Sequence, residues 1–296
     1  MTWIGYTIVS TFIWASLELA DKFIVDHEIK DPVFNTGLSL FFNFLIIIGL
    51  ILFSASNYSF SFSWLSVVIS ILYVSAIYFY YSGMNTEEVS RFAPTLSLTA
   101  VFIVVLGALF LGEVFFWVVY LGVALTILGA FLISLEEPVH SFTKFESKQG
   151  ILFAVLASLF FAARELMTKY SSGLVEFWDL LFWIGITGII ISIILIVNRK
   201  NKINRKNKRG IINLSLVGVI NGVGYFLFLK AIELGPVSLV SSIAEIDAVI
   251  IFLGSSLISK ISPKSFNENL SKKVLVQKGL AIIFSLLGVT LIHLFN

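Results

Sequence analysis

The sequence predicts an all-α membrane protein in which ten transmembrane helices form two inverted five-helix repeats. Three observations carry that expectation. Of the 296 residues, 58% are hydrophobic and only 13% charged, against about a quarter charged in an ordinary soluble domain. Apolar runs of about 18 or more residues recur throughout, the length at which a helix crosses a bilayer. The segment Tyr78 to Glu113, two apolar runs around a polar hairpin, returns 148 residues later from Phe226 onward. In that register Gly83, Val89, Ser90, Ala100 and Val101 correspond to Ala231, Val237, Ser238, Ala248 and Val249. A soluble helical protein would show polar helix faces, which these runs lack. A membrane β-barrel would alternate with period two, and they do not.

Taken in order, the apolar runs place spans at roughly 3–20, 33–53, 64–83, 89–111, 116–135, 150–169, 177–197, 211–231, 237–259 and 275–294. The longest polar connections are 136–149, 198–210 and 260–274, and no soluble domain fits between spans. No Lys or Arg precedes the first run and no A-x-A-like site follows it, so it is expected to be a retained helix and not a signal peptide.

The repeat extends outward. Trp14, Ala15, Glu18 and Lys22 in the first span match Phe161, Ala162, Glu165 and Lys169 in the sixth. Gly122 and Gly129 in the fifth span, like Ala281 and Gly288 in the tenth, are seven residues apart, nearly two turns, so each pair shares one helix face. Small residues there permit close helix approach. The expected units are therefore 1–135 and 150–296. Five spans is an odd number, so the halves must enter the membrane in opposite senses. That is an architecture common among secondary transporters, with the substrate site between the halves near the midplane.

At this point the sequence resembles the EamA-like branch of the drug/metabolite transporter superfamily. The resemblance rests on Trp14-Ala15-Ser16 with Lys22, on Pro94 in the sequence RFAP with the closing Leu111-Gly112-Glu113, and on the two five-helix halves. Pro94 has Ser242 as its counterpart, Glu113 has no acidic counterpart, and the ninth span carries acids where small and apolar residues are the family's habit. The resemblance implies a ten-helix transporter of small metabolites or drugs in the cell membrane, often an exporter driven by proton exchange.

Ionisable residues deep in spans are costly and usually face protein or a water-filled cavity. Glu18, Arg164, Glu165, Glu245 and Asp247 answer that description. Lys22, Arg91, Lys169 and Lys230 sit near span ends, where long side chains reach the interface. Thr11, Trp14, Glu18 and Lys22 form one helical stripe, and Glu18 and Lys22 can pair across one turn. In a continuous ninth helix Ser238, Ser241, Ser242 and Glu245 share a face, and Asp247 lies about 200° further round. Glu245 is accordingly expected in the cavity, as a possible proton carrier, and Asp247 against a neighbouring helix. Arg164 and Glu245 lie at similar depth, as do Glu18 and Arg91 on the other side, so the two pairs read as symmetry-related gates or ligand contacts. The alternative is structural ion pairs that neutralise buried charge. Tyr78, whose counterpart is Phe226, together with Tyr80 and Tyr81, is read as a candidate aromatic lining of the pathway, with Trp14 on the first span; core packing is the alternative for each ring.

Other chemistry finds little footing. His27, His140 and His293 have no metal-ligand spacing, and there is no Cys. No G-x-x-x-x-G-K-[ST] loop is present. The reading is a transporter without catalytic residues, metal, cofactor or nucleic-acid partner, working in the lipid bilayer as a monomer or homodimer on a small solute. A multi-helix channel or facilitator is the alternative. Of the 20 basic residues, 17 fall on one set of connections and only Lys169 and Lys230 on the other. Cytoplasmic connections are the Lys/Arg-rich ones, so both termini are expected outside the cytoplasm, opposite to the usual drawing of the family.

Overall fold

A computed structural model describes residues 2–54, 59–86, 95–134, 148–199, 207–261 and 272–295. Arg91 and Pro94 lie outside these. The described chain is helical throughout, as a membrane requires, because only a helix satisfies its own backbone in hydrocarbon without a closed barrel. Its helices are α1 (Trp3–His27), α2 (Pro32–Ser54), α3 (Trp64–Thr86), α4 (Leu98–Leu106), α5 (Trp117–Ser134), α6 (Lys148–Ser172), α7 (Phe177–Arg199), α8 (Lys208–Leu234), α9 (Val237–Ala244), α10 (Asp247–Ile261) and α11 (Lys272–Phe295). The helices α9 and α10 together make the ninth of ten spans. Among the described residues seven stretches are long and apolar enough to cross a membrane; the helical runs of the fourth and fifth spans are shorter, and α1 is not among the seven.

Local chemistry sets several ends. Thr2 Oγ1 accepts the Gly5 N–H at 3.3 Å and caps α1. Pro32 opens α2, where its missing N–H costs nothing, and Asp31 accepts the Phe34 N–H at 3.0 Å. Buried hydroxyls return to their own helices: Thr36 donates to Pro32 O and Thr168 to Arg164 O, both at 2.8 Å.

The packing obeys the repeat. The contact of α1 with α8 is matched by that of α3 with α6, and α2 on α8 by α3 on α7. The contact of α4 with α6 is matched by those of α1 with α9 and α10. The pairs α2–α7, α4–α9 and α5–α11 join counterparts to each other, as a two-fold relation demands. In α5 and α11 the small residues meet: a Cβ on Gly122 would lie 2.8 Å from Gly288 O, and one on Gly129 2.7 Å from Ala281 O. All-helical architecture and two matched five-span halves are what the chain contains.

The ends sort into two sides. On one, Asn213 Nδ2 donates to the Glu28 carboxylate at 2.9 Å, Asn207 to Glu28 O at 2.9 Å, and Arg199 lies 3.9 Å from Asp31. Arg199, Lys208 and Arg209 stand at helix ends on this side, the basic side. On the other, Ser61 N donates to Asp179 at 2.8 Å and Trp183 Nε1 to Ser61 O at 2.8 Å. Two of the 17 basic residues assigned to connections belong elsewhere. Lys278 is buried within α11, and it and Lys22 both line an internal cavity between the halves.

The ninth span is not one helix. It breaks at Glu245 and Ile246, with Glu245 at φ −60°, ψ −6° ending α9 and Asp247 opening α10. The 100° per residue that separated Glu245 from Asp247 therefore does not apply across this turn. The fourth span repeats the break. Residues 95 and 96 are helical, Ser97 turns at φ −61°, ψ −12°, and α4 follows. Ser97 is the counterpart of Glu245 at the 148-residue offset, and the two backbones adopt nearly the same angles. At its far end α4 runs into a π-helical turn, Gly107–Leu111, closed by Gly112 at φ +66°. That left-handed conformation is one only glycine adopts at no steric cost.

Candidate functional site

Between the halves lies a cavity of about 270 Å³, lined from α1, α2, α3, α4, α6, α8, α9, α10 and α11. It occupies the basic-side part of the bundle. Its wall reaches from Trp14 to Lys22 on α1, from Tyr73 to Met84 on α3 and from Ser241 to Phe252 across α9 and α10. Toward the opposite side it is floored by apolar packing of Ile103, Ala162, Phe228, Ile232, Val237 and Val240. Glu113 pins this floor: its carboxylate oxygens accept the Val237 N–H at 2.8 Å and the Ser238 N–H at 3.0 Å. A carboxylate from the first half thus caps the N-terminus of α9 in the second, where the orphan N–H groups and the helix dipole favour an anion.

At the floor's inner edge the two halves meet polar to polar. Tyr73 and Asn221 are repeat counterparts, and Asn221 Nδ2 donates to Tyr73 Oη at 3.2 Å. Trp14 Nε1 donates to Asn221 Oδ1 at 2.8 Å. The rings of Tyr73 and Tyr225 stack at 4.3 Å. Counterparts in direct contact must sit close to the axis relating the halves, so this cluster marks that axis.

Arg164 is 2% exposed and donates to Glu165 Oε1 at 2.8 Å. Its guanidinium lies 5.1 to 5.5 Å from the ring centres of Tyr73, Tyr225, Phe228 and Phe161. A cation so placed interacts with the ring quadrupoles as well as with its carboxylate. The expected pairing of Arg164 with Glu245 is therefore replaced by pairing with its own neighbour in sequence. Arg91, the expected mate of Glu18, falls outside the described residues.

Above this layer the acids gather. Glu18 and Asp21 on α1, with Glu245 and Asp247 at the α9–α10 break, all line the cavity. Asp21, 8% exposed, accepts from Tyr81 Oη at 2.8 Å. Glu245 has the hydroxyl of Ser97, its own counterpart, as a neighbour. Asp247 accepts the Ala248 N–H at 2.6 Å. The break thus turns both Glu245 and Asp247 inward, and the expectation that only Glu245 would face the cavity is corrected. Trp14, Arg164 and Glu165 also line it. Tyr78 is not among the lining residues; it packs edge-on against Phe79, while Tyr80 and Tyr81 do line the cavity. Sequence reasoning passed over Asp21, Tyr73, Asn221 and Lys278. The i, i+3 step from Glu18 could have indicated Asp21, and the repeat register could have paired Tyr73 with Asn221. No local signal marks Lys278. Among the described residues no group of His, Cys, Asp and Glu has the arrangement of a metal site.

No curated protein matches the sequence. A solved structure described only as "Crystal structure of protein" superposes with a TM-score of 0.76 over 99% of both chains at 13% identity, a likeness of fold alone. The model of the EamA-like transporter family matches residues 1–135 and 148–294, one match to each half. With nearly the whole chain accounted for, and a cavity walled by both halves, this multi-pass membrane protein belongs to the EamA-like transporter family.

Proposed function

We propose that the chain is a secondary active transporter that exports a small solute by alternating access. The cavity is the substrate site, and the units 1–135 and 150–296 are the halves that rock around it. The observation that supports this best is the cavity itself: both halves wall it, and it is closed on the Glu113 side by apolar packing. A site that both halves wall is exposed to the other side when the halves re-pack. Acids in that cavity, Glu245 first among them, carry protons as the coupling ion. Purified protein in proteoliposomes is expected to give saturable, pH-gradient-dependent solute flux; a linear, gradient-independent conductance would sink the transporter reading and favour a channel.

Orientation belongs to the same proposal. With Lys22 and Lys278 assigned to the cavity, 15 basic residues still crowd the basic side. That side is cytoplasmic by the positive-inside rule, both termini are extracytoplasmic, and the described state faces the cytoplasm. The chain has no Cys, so Lys208→Cys gives one reporter. It should be protected from an impermeant thiol reagent in intact cells and react after lysis. Labelling before lysis would reverse the orientation.

A further inference from the structure

We infer, building on the transporter reading, that the solute is a positively charged amine whose ammonium is held among Glu18, Asp21, Glu245 and Asp247. Among the described residues the wall carries five carboxylates and three basic groups. One of the three, Arg164, is committed to Glu165 and boxed by four rings, which leaves four carboxylates facing Lys22 and Lys278. Carboxylates in a membrane interior are tolerated when a cation or proton offsets them. An anionic solute would meet this field with the one guanidinium covered, and would be repelled.

Two independent observations point to a ligand of this kind. Glu165, 4% exposed and on the cavity wall, gives Oε1 to Arg164; Oε2 makes no hydrogen bond of good geometry, with the Ser241 hydroxyl as a neighbour. The wall also already holds an ammonium in the manner required: Lys278 Nζ sits 4.4 Å from the centre of the Phe252 ring. Trp14 and Tyr80 present further rings, surfaces that bind cations through their quadrupoles. A cavity of about 270 Å³ suits a compact ligand at the small end of the usual pocket range.

The asymmetry of the repeat adds weight. At the first-half break the cavity receives Ser97 and Thr99; at the second-half break, Glu245 and Asp247. The backbone turn needs no acid, since Ser97 makes it as well, so the two carboxylates answer to what the cavity holds.

Three probes sharing one phenol ring test the inference: tyramine (a cation), tyrosine (a zwitterion) and 3-(4-hydroxyphenyl)propionate (an anion). Each is measured as saturable flux in proteoliposomes at neutral pH. Tyramine is expected to be favoured at least about tenfold over the others, and Glu245→Gln/Asp247→Asn to reduce its flux at least about tenfold. Glu18→Gln alone reads the same charge from a different helix, and decides the matter should the double variant fail to fold. Faster flux of the tyrosine or the propionate overturns the amine assignment and leaves transport standing. Acid variants that keep full tyramine flux overturn it too. Saturable flux of none of the three, by protein with an intact thermal melt, overturns the amine assignment, and the transporter reading is left to the gradient-dependence test above.

Discussion

The fourth and ninth spans make the same turn with different chemistry. Ser97 and Glu245 stand at corresponding positions with φ near −60° and ψ near zero, and each interrupts its span at the cavity. Beyond the turn come Thr99 in one half and Asp247 in the other. The difference teaches that the turn is a property of the shared backbone, whereas charge has been placed on one side of the axis alone. The first and sixth spans repeat the lesson in reverse. Glu18 and Glu165 are counterparts and both line the cavity, yet Leu17 stands where the sixth span has Arg164. One glutamate is therefore neutralised in place and the other is left to the solute side.

The sharpest break of this comparison is at Arg164. Arg164→Met leaves Glu165 buried without its cation, which should cost about 3–5 kcal/mol, the usual price of halving a buried pair. A thermal melt in detergent should show a large drop, and adding Glu165→Gln should restore most of it. If the double variant melts no higher than Arg164→Met, the aromatic box and not the ion pair is what Arg164 contributes.

Next in size is the contrast between the two breaks. Ser97→Ala/Thr99→Val keeps the turn and removes only neutral hydroxyls, so solute flux should fall less than about threefold, the low end of one modest hydrogen bond. The loss expected for Glu245→Gln/Asp247→Asn is larger. Equal losses would mean that the breaks act alike and that the acids have no special part. Within the acidic pair, Glu245→Gln alone should flatten the pH dependence of flux. Asp247 shares the cavity, so Asp247→Asn should flatten it partially. A flat profile from Asp247→Asn with an unchanged one from Glu245→Gln would move the proton to Asp247.

The smallest effect concerns the far ends of the same two spans. Glu113 follows the fourth span and caps α9, but its counterpart after the ninth is Ile261. Glu113→Gln keeps the shape and loses the charge, which should lower stability by about 1 kcal/mol, typical of a weakened cap. A cysteine at Val237 should then be modified more readily from the Glu113 side. Unchanged melting and unchanged labelling would show that apolar packing alone holds that floor.

The number of spans and their pairing into halves were legible in the sequence. Each depends on composition over a window of residues, and hydrocarbon imposes its demand window by window. The small-residue faces of α5 and α11 were legible for the same reason, since the 3.6-residue turn fixes which positions line up. The break at Glu245 and Ile246 was not. Nothing in IAEIDAV forbids a helix, and a period of 100° per residue put Glu245 and Asp247 on different faces. The turn is seen only with the Ser97 side chain of the other half beside Glu245 and with α1 packed against both α9 and α10. The partner of Arg164, the inward placement of Lys278 and the contact of Tyr73 with Asn221 likewise depend on residues 60 or more positions away or on rotamers set by packing. A single chain read in order carries depth and helical face well, but which buried charges share a cavity is decided by how the two halves close on one another.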